Sequence, residues 1–247
     1  MLTAIIENVL EWKAVLNGIS DLAEESMFVI NFDGITFRGI DPSHVALFDI
    51  TFPKSTFQSF KGDTSFFGLR IDDFKTIMNM VSVGDTMKLS IDKSNTMNIL
   101  ISGSLTMEYN IRLLEKSQTN FPIPKTPYKT KISLRSSTLN HVISNLQNIS
   151  EDVKIICYQD RLEFSGKGDA SDAKIDLERK NSELEIESTE NSSAIYSLEH
   201  MVKVIRDLGK ASELVKMEYA TGTPIHIGFE MPSAAKVELY LAPKTEE

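Results

Sequence analysis

Residues 32–37, Phe-Asp-Gly-Ile-Thr-Phe, decide the fold of this chain, because a related stretch returns in its second half as residues 158–164, Tyr-Gln-Asp-Arg-Leu-Glu-Phe. In the first stretch an Asp-Gly pair separates two runs rich in aromatic and β-branched residues, which predicts a β-hairpin with its turn at Asp33-Gly34. A second local match, upstream of each stretch, pairs residues 19–21 with residues 149–151. The two halves of the chain are therefore predicted to be an internal duplication.

Hydrophobic periodicity around the hairpins predicts the same order of elements in both halves. Helical spacing of apolar residues predicts helices over residues 9–22, 72–82, 136–149 and 198–209, and Asn8 is expected to cap the first of them. Apolar runs predict strands over residues 2–6, 27–32, 35–39, 44–52, 87–92, 97–102, 107–114, 131–134, 153–158, 162–164 and 237–241. Residues 54–71 are predicted to be a polar connection. The predicted fold class is α+β, with two duplicated helix-backed β-sheet domains.

A proline-rich segment separates the halves. Pro122, Pro124 and Pro127 lie close together in a polar run, so this segment is expected to be extended and to form neither helix nor inner strand. The predicted domains are residues 1–114 and 131–247, joined by a connecting loop over residues 115–130. From the sequence alone this loop is either a plain spacer or the rim of a binding groove.

Length, charge and cysteine content restrict the class of protein. The chain has 247 residues, 41% of them hydrophobic, and 26 basic against 35 acidic side chains, a net charge of −9. This profile favours a globular protein with one large or two small domains and argues against a simple basic nucleic-acid binder. The single cysteine, Cys157, excludes an intramolecular disulfide and favours a reducing compartment. The apolar start, residues 1–10, carries Glu7 and is too short to span a membrane, so we expect neither export signal nor membrane contact.

Catalytic signatures are missing from the sequence. The four histidines are scattered without ligand spacing, and Gly166-Lys167-Gly168 lacks the spacing of a phosphate-binding loop. We therefore expect no enzyme activity, no catalytic residue, no metal and no cofactor. An enzyme built on duplicated α+β domains is the alternative, and a screen for nuclease or phosphatase turnover would test it.

Each predicted helix has one polar face free of carboxylates. Those faces are Lys13, Asn17 and Ser20; Lys75, Asn79 and Ser82; His141, Asn145 and Asn148; and Lys203, Arg206 and Lys210. Four equivalent neutral-to-basic faces in an acidic protein indicate one surface that faces phosphate. Ordinary solvated helix faces are the alternative interpretation, and Glu11, Asp21 and Asp207 do not fit the pattern neatly.

Two stretches resemble a known family. Residues 34–47, Gly-Ile-Thr-Phe-Arg-Gly-Ile-Asp-Pro-Ser-His-Val-Ala-Leu, resemble the hairpin and following strand of sliding DNA clamps of the proliferating cell nuclear antigen (PCNA) family. Residues 240–244, Tyr-Leu-Ala-Pro-Lys, resemble the carboxyl-terminal signature of that family. The likeness extends to the duplication, the position of the linker and the total length.

The resemblance implies a processivity factor for DNA replication and repair. Three chains would close head to tail into a homotrimeric ring around double-stranded DNA, without reading its sequence. The alternative is a subunit of a heteromeric clamp, including a checkpoint-type ring. The residues expected to face DNA are Lys13, Asn17, Lys75, Asn79, His141, Asn148, Lys203, Arg206 and Lys210.

The resemblance also implies a pocket for short peptide motifs (PIP boxes) of DNA polymerase, clamp loader, flap endonuclease and DNA ligase. Its expected residues are Ile40, His44, Val45, Leu47, Phe121, Ile123, Pro124, Tyr128, Pro224, Tyr240, Leu241, Ala242, Pro243 and Lys244. Phe121 departs from the aliphatic residue usual in the family.

The subunit interface is expected where the strand near residues 107–114 pairs with residues 174–181 of the next chain. Its expected residues are Met107, Tyr109, Ile111, Leu113, Lys174, Ile175, Leu177 and Arg179. The short linker and the lack of an acidic tail favour an archaeal, cytoplasmic clamp over a eukaryotic, nuclear one.

Overall fold

The computed structural model describes residues 1–92, 95–115, 121–180 and 183–245. Contacts divide the chain into two compact units. The first unit comprises Met1–Pro42, Phe48–Phe121 and Met231–Val237, and the second comprises Ser43–Leu47, Pro122–Glu230 and Glu238–Glu247. The predicted domain bounds, residues 1–114, 115–130 and 131–247, stay a prediction, since residues 116–120 of the linker lie outside the described part of the chain.

The first half forms nine strands and two α-helices among its described residues. They are β1 (Leu2–Ile6), α1 (Val9–Ser20), β2 (Glu25–Asn31), β3 (Gly34–Ile40), β4 (Ala46–Pro53), β5 (Ser59–Gly62), β6 (Ser65–Arg70), α2 (Ile71–Met78), β7 (Thr86–Ile91), β8 (Thr96–Ser102) and β9 (Thr106–Arg112). A short 3₁₀ turn, Lys54–Thr56, separates β4 from β5.

The second half repeats this series of elements. It forms β10 (Thr130–Arg135), α3 (Ser136–Leu146), β11 (Asp152–Cys157), β12 (Arg161–Lys167), β13 (Asp172–Glu178), β14 (Glu185–Ser188), β15 (Ser192–Ser197), α4 (Leu198–Ala211), β16 (Leu214–Tyr219), β17 (Ile225–Glu230) and β18 (Lys236–Leu241). Each element of one half has a counterpart at the same place in the other, so the order of elements is that of a duplication.

Strand pairing follows the same duplication. One sheet of the first half has the order β5-β1-β7-β8-β9, and the second half contains the matching order β14-β10-β16-β17-β18. The other pair of matching orders is β4-β3-β2-β6 and β13-β12-β11-β15. Paired strands such as β1 and β5, β1 and β7, β11 and β12, and β8 and β9 run antiparallel, as hairpin-connected strands require. The prediction of two helix-backed β-sheet domains is confirmed.

Aromatic and aliphatic side chains fill the core of each unit. In the first unit the Trp12 ring of α1 stacks on Phe52 of β4 with centroids 3.9 Å apart, and Phe28 stacks on Phe37 at 4.2 Å. Both tryptophan and Phe52 are at most 2% exposed. Each such side chain contributes roughly 1.5–3 kcal/mol of burial free energy, which fixes α1 against the sheet. The second unit is built the same way around α4, whose residues Met201 and Ile205 are fully buried.

The first hairpin turns one residue earlier than the sequence predicts. Asn31 pairs with Gly34, so the two turn residues are Phe32 and Asp33, and Gly34 is already the first residue of β3. The Asn31 Oδ1 atom accepts a hydrogen bond from the Asp33 backbone N–H at 2.8 Å, which closes the turn from the strand side. The turn was predicted at Asp33-Gly34; the side chain of Asn31 and the glycine in the strand explain the shift.

Helix ends differ from prediction because local turns compete with the last helical residues. The second helix ends at Met78 rather than near residue 82, and the backbone N–H of Ser82 donates to Asp85 Oδ2 at 2.8 Å instead. The third helix ends at Leu146 rather than near residue 149. Asn8 stands at the N-cap position of α1, but its side chain makes no capping bond and donates to the Glu11 carboxylate.

Two strands lie where a polar connection was predicted. The short strands β5 and β6 pair with β1 and β2 respectively. Strand β4 begins at Ala46, two residues later than predicted, because His44 has a positive φ of 59° that ends the extended conformation. The described linker residues, 121–129, contain no helix or strand.

Candidate functional site

In the first unit the two predicted DNA-facing lysines link helices α1 and α2. The ammonium group of Lys13 lies 3.3 Å from the Asn79 carbonyl and 3.5 Å from the Val81 carbonyl, and that of Lys75 donates to Ser20 Oγ at 2.6 Å. Among the described residues, no carboxylate forms a salt bridge with either ammonium group within 4.0 Å. Both ammonium groups are thus held in place by neutral oxygen atoms rather than by carboxylates.

The third helix presents an uncharged polar face. His141 and Asn145 are exposed on α3, and Asn148 is exposed in the turn that follows the helix. The amides of Asn145 and Asn148 donate to the carbonyl oxygens four residues earlier, at 2.7 Å and 3.1 Å. Because one N–H of each amide is tied to a backbone carbonyl and neither amide carries a charge, these two side chains attract phosphate less than a lysine or arginine would.

The fourth helix carries three cations close to two carboxylates. Lys203 donates to Glu199 at 2.7 Å, and Asp207 lies 3.8 Å from both Arg206 and Lys210. Lys203 also lowers the pKa of the Glu199 carboxyl through that hydrogen bond. The α4 face is therefore only partly positive, which the predicted carboxylate-free stripe did not anticipate, since Glu199 and Asp207 lie beside it rather than on it.

The carboxyl-terminal signature is anchored by backbone hydrogen bonds within the second unit. The Ala242 N–H donates to the Val45 carbonyl at 2.8 Å, and the Lys244 N–H donates to the Ile195 carbonyl at 2.8 Å. The Lys244 ammonium group also lies 2.6 Å from Asp152 Oδ1. These bonds bring the segment after β18 beside the segment before β4, so the two stretches that carry the family resemblance meet here.

An aromatic row stands next to these segments in the second unit. The His226 ring lies between two predicted pocket residues, with its centroid 4.7 Å from the Tyr240 ring and 6.0 Å from the Tyr128 ring. All three rings are nearly parallel, at interplanar angles of 14° and 21°. We call Tyr128, His226 and Tyr240 the aromatic row.

Sequence reasoning missed the central member of this row and its two acidic partners. Nδ1 of His226 lies 2.9 Å from Glu218 Oε2, and Nε2 contacts Glu238 Oε2. A signal was available in the strand period, because His226 follows Pro224 by two residues and Glu238 precedes Tyr240 by two. Alternate residues of a strand share a face, so both belonged with the predicted pocket residues.

The other predicted pocket residues differ in exposure. In the second unit Leu47 and Leu241 are buried, at 8% and 1% exposure, and act as core residues. The half-buried members there are Val45, Ile123, Pro124, Pro224, Ala242 and Pro243, whereas His44 and Lys244 are exposed. The half-buried apolar side chains are those able to contact a partner.

The two pocket residues of the first unit are Ile40 and Phe121, both half-buried. The Phe121 carbonyl accepts a hydrogen bond from Arg38 Nη1 at 3.0 Å, and Arg38 Nη2 donates to Asp49 Oδ2 at 2.8 Å. Arg38 thus fixes the backbone of Phe121 in the linker, a role that the sequence did not reveal.

The predicted interface residues lie on or next to two sheet edges. Within the described chain β9 pairs only with β8, and β13 only with β12. Met107, Tyr109, Ile175 and Leu177 are half-buried, Ile111 and Leu113 are buried, and Lys174 and Arg179 are exposed. Lys174 donates to Glu163 at 2.7 Å. Asn181, the last residue of the predicted 174–181 pairing segment, lies outside the described residues.

Clusters of potential metal ligands are absent from the described residues: no group of three or more His, Cys, Asp and Glu side chains there could hold a metal ion. None of the helices described is long and apolar enough to cross a membrane.

Two family models match the chain, and together they cover most of it. The model for the N-terminal domain of proliferating cell nuclear antigen matches residues 1–116, and the model for the C-terminal domain matches residues 122–244. The chain belongs to the PCNA family. The linker predicted from its prolines overlaps the interval between the two matches.

Relatives and solved structures agree with the PCNA assignment. The chain is 36% identical to the DNA polymerase sliding clamp of Nitrosopumilus maritimus, over 95% of this chain and 94% of that one, and 35% identical to that of Cenarchaeum symbiosum, over 94% of each. The fold matches PCNA from Thermococcus kodakaraensis with a TM-score of 0.93 at 19% identity, covering 99% of this chain and 100% of the other. It matches a PCNA2-PCNA3 complex from Sulfolobus tokodaii with a TM-score of 0.92 at 20% identity and the same coverage.

Proposed function

We propose that this chain is a DNA polymerase sliding clamp, a processivity factor that encircles duplex DNA and does no chemistry on it. The observation that carries the proposal is the duplicated topology, in which each half contributes an equivalent pair of helices, together with family matches over both halves. Relatives with up to 36% identity over nearly the whole chain bear the name DNA polymerase sliding clamp.

The charges on the helices suit a ring that slides. Lys13, Lys75, Lys203, Arg206 and Lys210 provide positive charge, with Asn17, Asn79, His141 and Asn148 as neutral neighbours, while the whole chain has a net charge of −9. Phosphate attraction is independent of sequence and falls steeply with salt. A ring held by its closed topology needs only such a weak and mobile attraction.

Reversing the helix charges tests the DNA-facing surface. The triple variant K13E, K203E and R206E should retain its fold. At low salt it should slide faster on circular DNA, measured by single-molecule diffusion, or load onto that DNA in a smaller amount. A matched control reverses three exposed strand lysines, Lys61, Lys88 and Lys236, with the same change in net charge. Equal behaviour of the two triple variants would contradict the proposal.

Ring closure would use the free edges of β9 and β13. Each edge is seven residues long and presents backbone donors and acceptors without a strand partner among the described residues. In the duplication, β9 corresponds to β18 and β13 corresponds to β4. The residues that flank β18 and β4 are joined by a backbone hydrogen bond, from the Ala242 N–H to the Val45 carbonyl. An equivalent junction between two chains is heterologous and closes as a ring of three.

Mass measurement tests this ring. The wild-type chain should elute as a homotrimer in size-exclusion chromatography with light scattering, and Y109K or L177K should yield folded monomers. The control L214K places the same charge on β16, where Leu214 is 46% exposed. A wild-type chain that stays monomeric at high concentration would instead support the heteromeric alternative, in which different neighbours complete the ring.

Partner proteins would dock on the aromatic row and on the other predicted pocket residues. In the second unit the proposed contacts are His44, Val45, Ile123, Pro124, Tyr128, Pro224, Tyr240, Ala242, Pro243 and Lys244, supported from its core by Leu47 and Leu241. In the first unit they are Ile40 and Phe121. Burying two or three peptide side chains at roughly 1.5–3 kcal/mol each gives micromolar affinity after ordering costs.

A single aspartate tests the docking site. V45D should weaken binding of a fluorescent PIP-box peptide at least about tenfold, since it places a charge against an apolar ligand. Val45 is preferable to Leu47, because an aspartate at the buried Leu47 position would unfold the core. The control V29D changes a valine that is 42% exposed on β2. Unchanged peptide affinity in V45D would place the docking site elsewhere.

Partners and location follow from this proposal. The docked proteins would include DNA polymerase, the clamp loader, flap endonuclease and DNA ligase, each through a short motif. The archaeal relatives favour a cytoplasmic clamp.

A further inference from the structure

A row of charged side chains crosses the sheet of the second unit and ends at the aromatic row. Lys131 of β10 stands opposite Glu187 of β14 on one side and Glu218 of β16 on the other. Glu218 in turn stands opposite His226 of β17. Directly opposite residues of paired strands point to the same face of the sheet, so these side chains form one continuous line.

The two ring nitrogens of His226 each face a carboxylate. Nδ1 lies 2.9 Å from Glu218 Oε2, and Nε2 contacts Glu238 Oε2. A neutral imidazole has one N–H and one lone pair, so it could satisfy only one of the two carboxylates. An imidazolium donates from both nitrogens. The geometry therefore fits the protonated ring, flanked by two acceptors.

The other charged groups near His226 do not compensate the charge of both carboxylates that face its ring. Lys131 Nζ lies 3.3 Å from Glu218 Oε1, on the side away from the imidazole, and Glu187 stands beyond Lys131. Within the part of the chain that the structure describes, Glu238 forms an ion pair with His226 and with no other side chain. Loss of the proton would thus leave Glu238 and Glu218 beside a neutral ring that can donate to one of them only.

The same ring occupies the middle of the aromatic row. Its faces are turned to Tyr240, 4.7 Å away, and to Tyr128, 6.0 Å away. A cation between two tyrosine faces is attracted to both by the ring quadrupoles. His226 is only 16% exposed, so this attraction is little screened by water.

We propose that His226, held as an imidazolium by Glu218 and Glu238, is the positioning residue that aligns Tyr128 and Tyr240 for a docked peptide, so that peptide affinity falls when the ring loses its proton. This rests on the proposed docking function and adds a proton dependence to it.

The pKa of His226 supports this direction. Burial by itself lowers that pKa, but hydrogen bonds with Glu238 and Glu218 outweigh burial and raise the pKa above its ordinary value of 6.5. The ring accordingly holds its proton to a higher pH than an ordinary imidazole and loses it as the pH rises through the elevated pKa. The pKa of Tyr128 is also raised, chiefly by burial, so its hydroxyl does not titrate in that interval.

Peptide binding across pH tests the proposal. The probe is a fluorescein-labelled PIP-box peptide with phenylalanine as its aromatic residue, no histidine and a blocked amino terminus. Wild-type affinity should fall about threefold to tenfold between pH 6 and pH 9, the size of one lost charge-assisted contact. In His226→Gln the affinity should be uniformly low and flat with pH.

Two other histidines provide controls. His200 is hydrogen-bonded to Ser197 at the start of α4, away from the aromatic row, and His44 is exposed in the predicted pocket. The pH profile should survive in both His200→Gln and His44→Gln. A profile that disappears in His44→Gln and persists in His226→Gln would overturn the proposal.

A spectroscopic titration separates this proposal from the docking function. The imidazole proton resonances of His226 in the wild-type protein should titrate at a higher pH than those of an ordinary histidine. Glu238→Gln should lower the pH at the midpoint of this titration without unfolding the protein. If no peptide binds at any pH, the proposed docking function is wrong. If the His226 imidazole of the wild-type protein titrates in the ordinary range, the proposal that Glu218 and Glu238 hold it as an imidazolium is wrong.

Discussion

At the residue scale, Gly34 combines two constraints that other residues cannot meet. Its φ is +141°, and a Cβ there would lie 2.1 Å from the Phe52 carbonyl oxygen. G34A should therefore lower the free energy of unfolding by about 3 kcal/mol or more, measured by urea denaturation. The control G222A has a φ of +65° but open space around it, and should cost only about 1–2 kcal/mol. Equal losses would show that the close approach has no energetic weight.

Cys157 illustrates how burial sets reactivity. Desolvation raises the pKa of its thiol to about 11, and the side chain is fully buried. At pH 8 about one thiol in a thousand is ionised, and thiolate is the reactive form. Modification by a disulfide reagent should be very slow in the folded protein, quicken as the pH approaches 11, and become immediate in urea. Rapid stoichiometric labelling of the native chain at pH 8 would contradict this expectation.

At the element scale, a buried carboxylate ties α1 to the turn between β17 and β18. Glu11 is 5% exposed and accepts hydrogen bonds from the backbone N–H and the hydroxyl of Ser233 and from the Asn8 amide. Glu11 is the third residue of α1 and lies in its first turn, where the helix dipole favours an acid, so the expectation that it does not fit such a pattern is wrong. The residue is absent from the polar face because it points into the first unit.

A double-mutant cycle measures this tie. E11Q should destabilise the protein by about 2 kcal/mol and S233A by about 1 kcal/mol, with a coupling of about 1 kcal/mol, because the two changes remove the same hydrogen bonds. The control E7Q alters an exposed acid bonded to Gln58 and should change stability by less than about 0.5 kcal/mol. Strictly additive losses in the cycle would show that the tie contributes nothing.

Prediction from sequence succeeded best where an element carries its own signal. The helix α4 has a complete apolar stripe, and its prediction over residues 198–209 lies within the observed Leu198–Ala211. The strands β5 and β6 were missed because they are four and six residues long and owe their conformation to pairing with β1 and β2. Short edge strands depend on the partner strand more than on their own propensity.

At the scale of the whole molecule, the retention of a closed ring on DNA should depend on DNA topology rather than on affinity. A net charge of −9 opposes tight adhesion, so the free chain should bind linear duplex weakly at physiological salt. Once loaded on a nicked circle, the ring should stay bound through gel filtration and be released when a restriction enzyme cuts the circle. Retention on the linear product without blocked ends would indicate adhesion and contradict the sliding mechanism.

The sequence by itself determined the duplication, the α+β class and the family, because these depend on periodicity and on local motifs such as residues 34–47 and 240–244. It also indicated which side chains share a helix face, since helical spacing places side chains without reference to the rest of the fold. Asn79, Ser82 and Asn148, however, lie beyond the observed ends of α2 and α3.

Only the tertiary structure decided which of those charges are free and what surrounds the candidate pocket. Lys203 donates to Glu199, whereas Lys75 donates to the Ser20 hydroxyl. His226 stands between Glu218 and Glu238, which come from two other strands. Contacts between residues on different strands depend on register and sheet order, which pairing across the whole chain fixes. The periodicity of a sequence indicates which face of a strand or helix a side chain occupies, but not which residue of another element it contacts there.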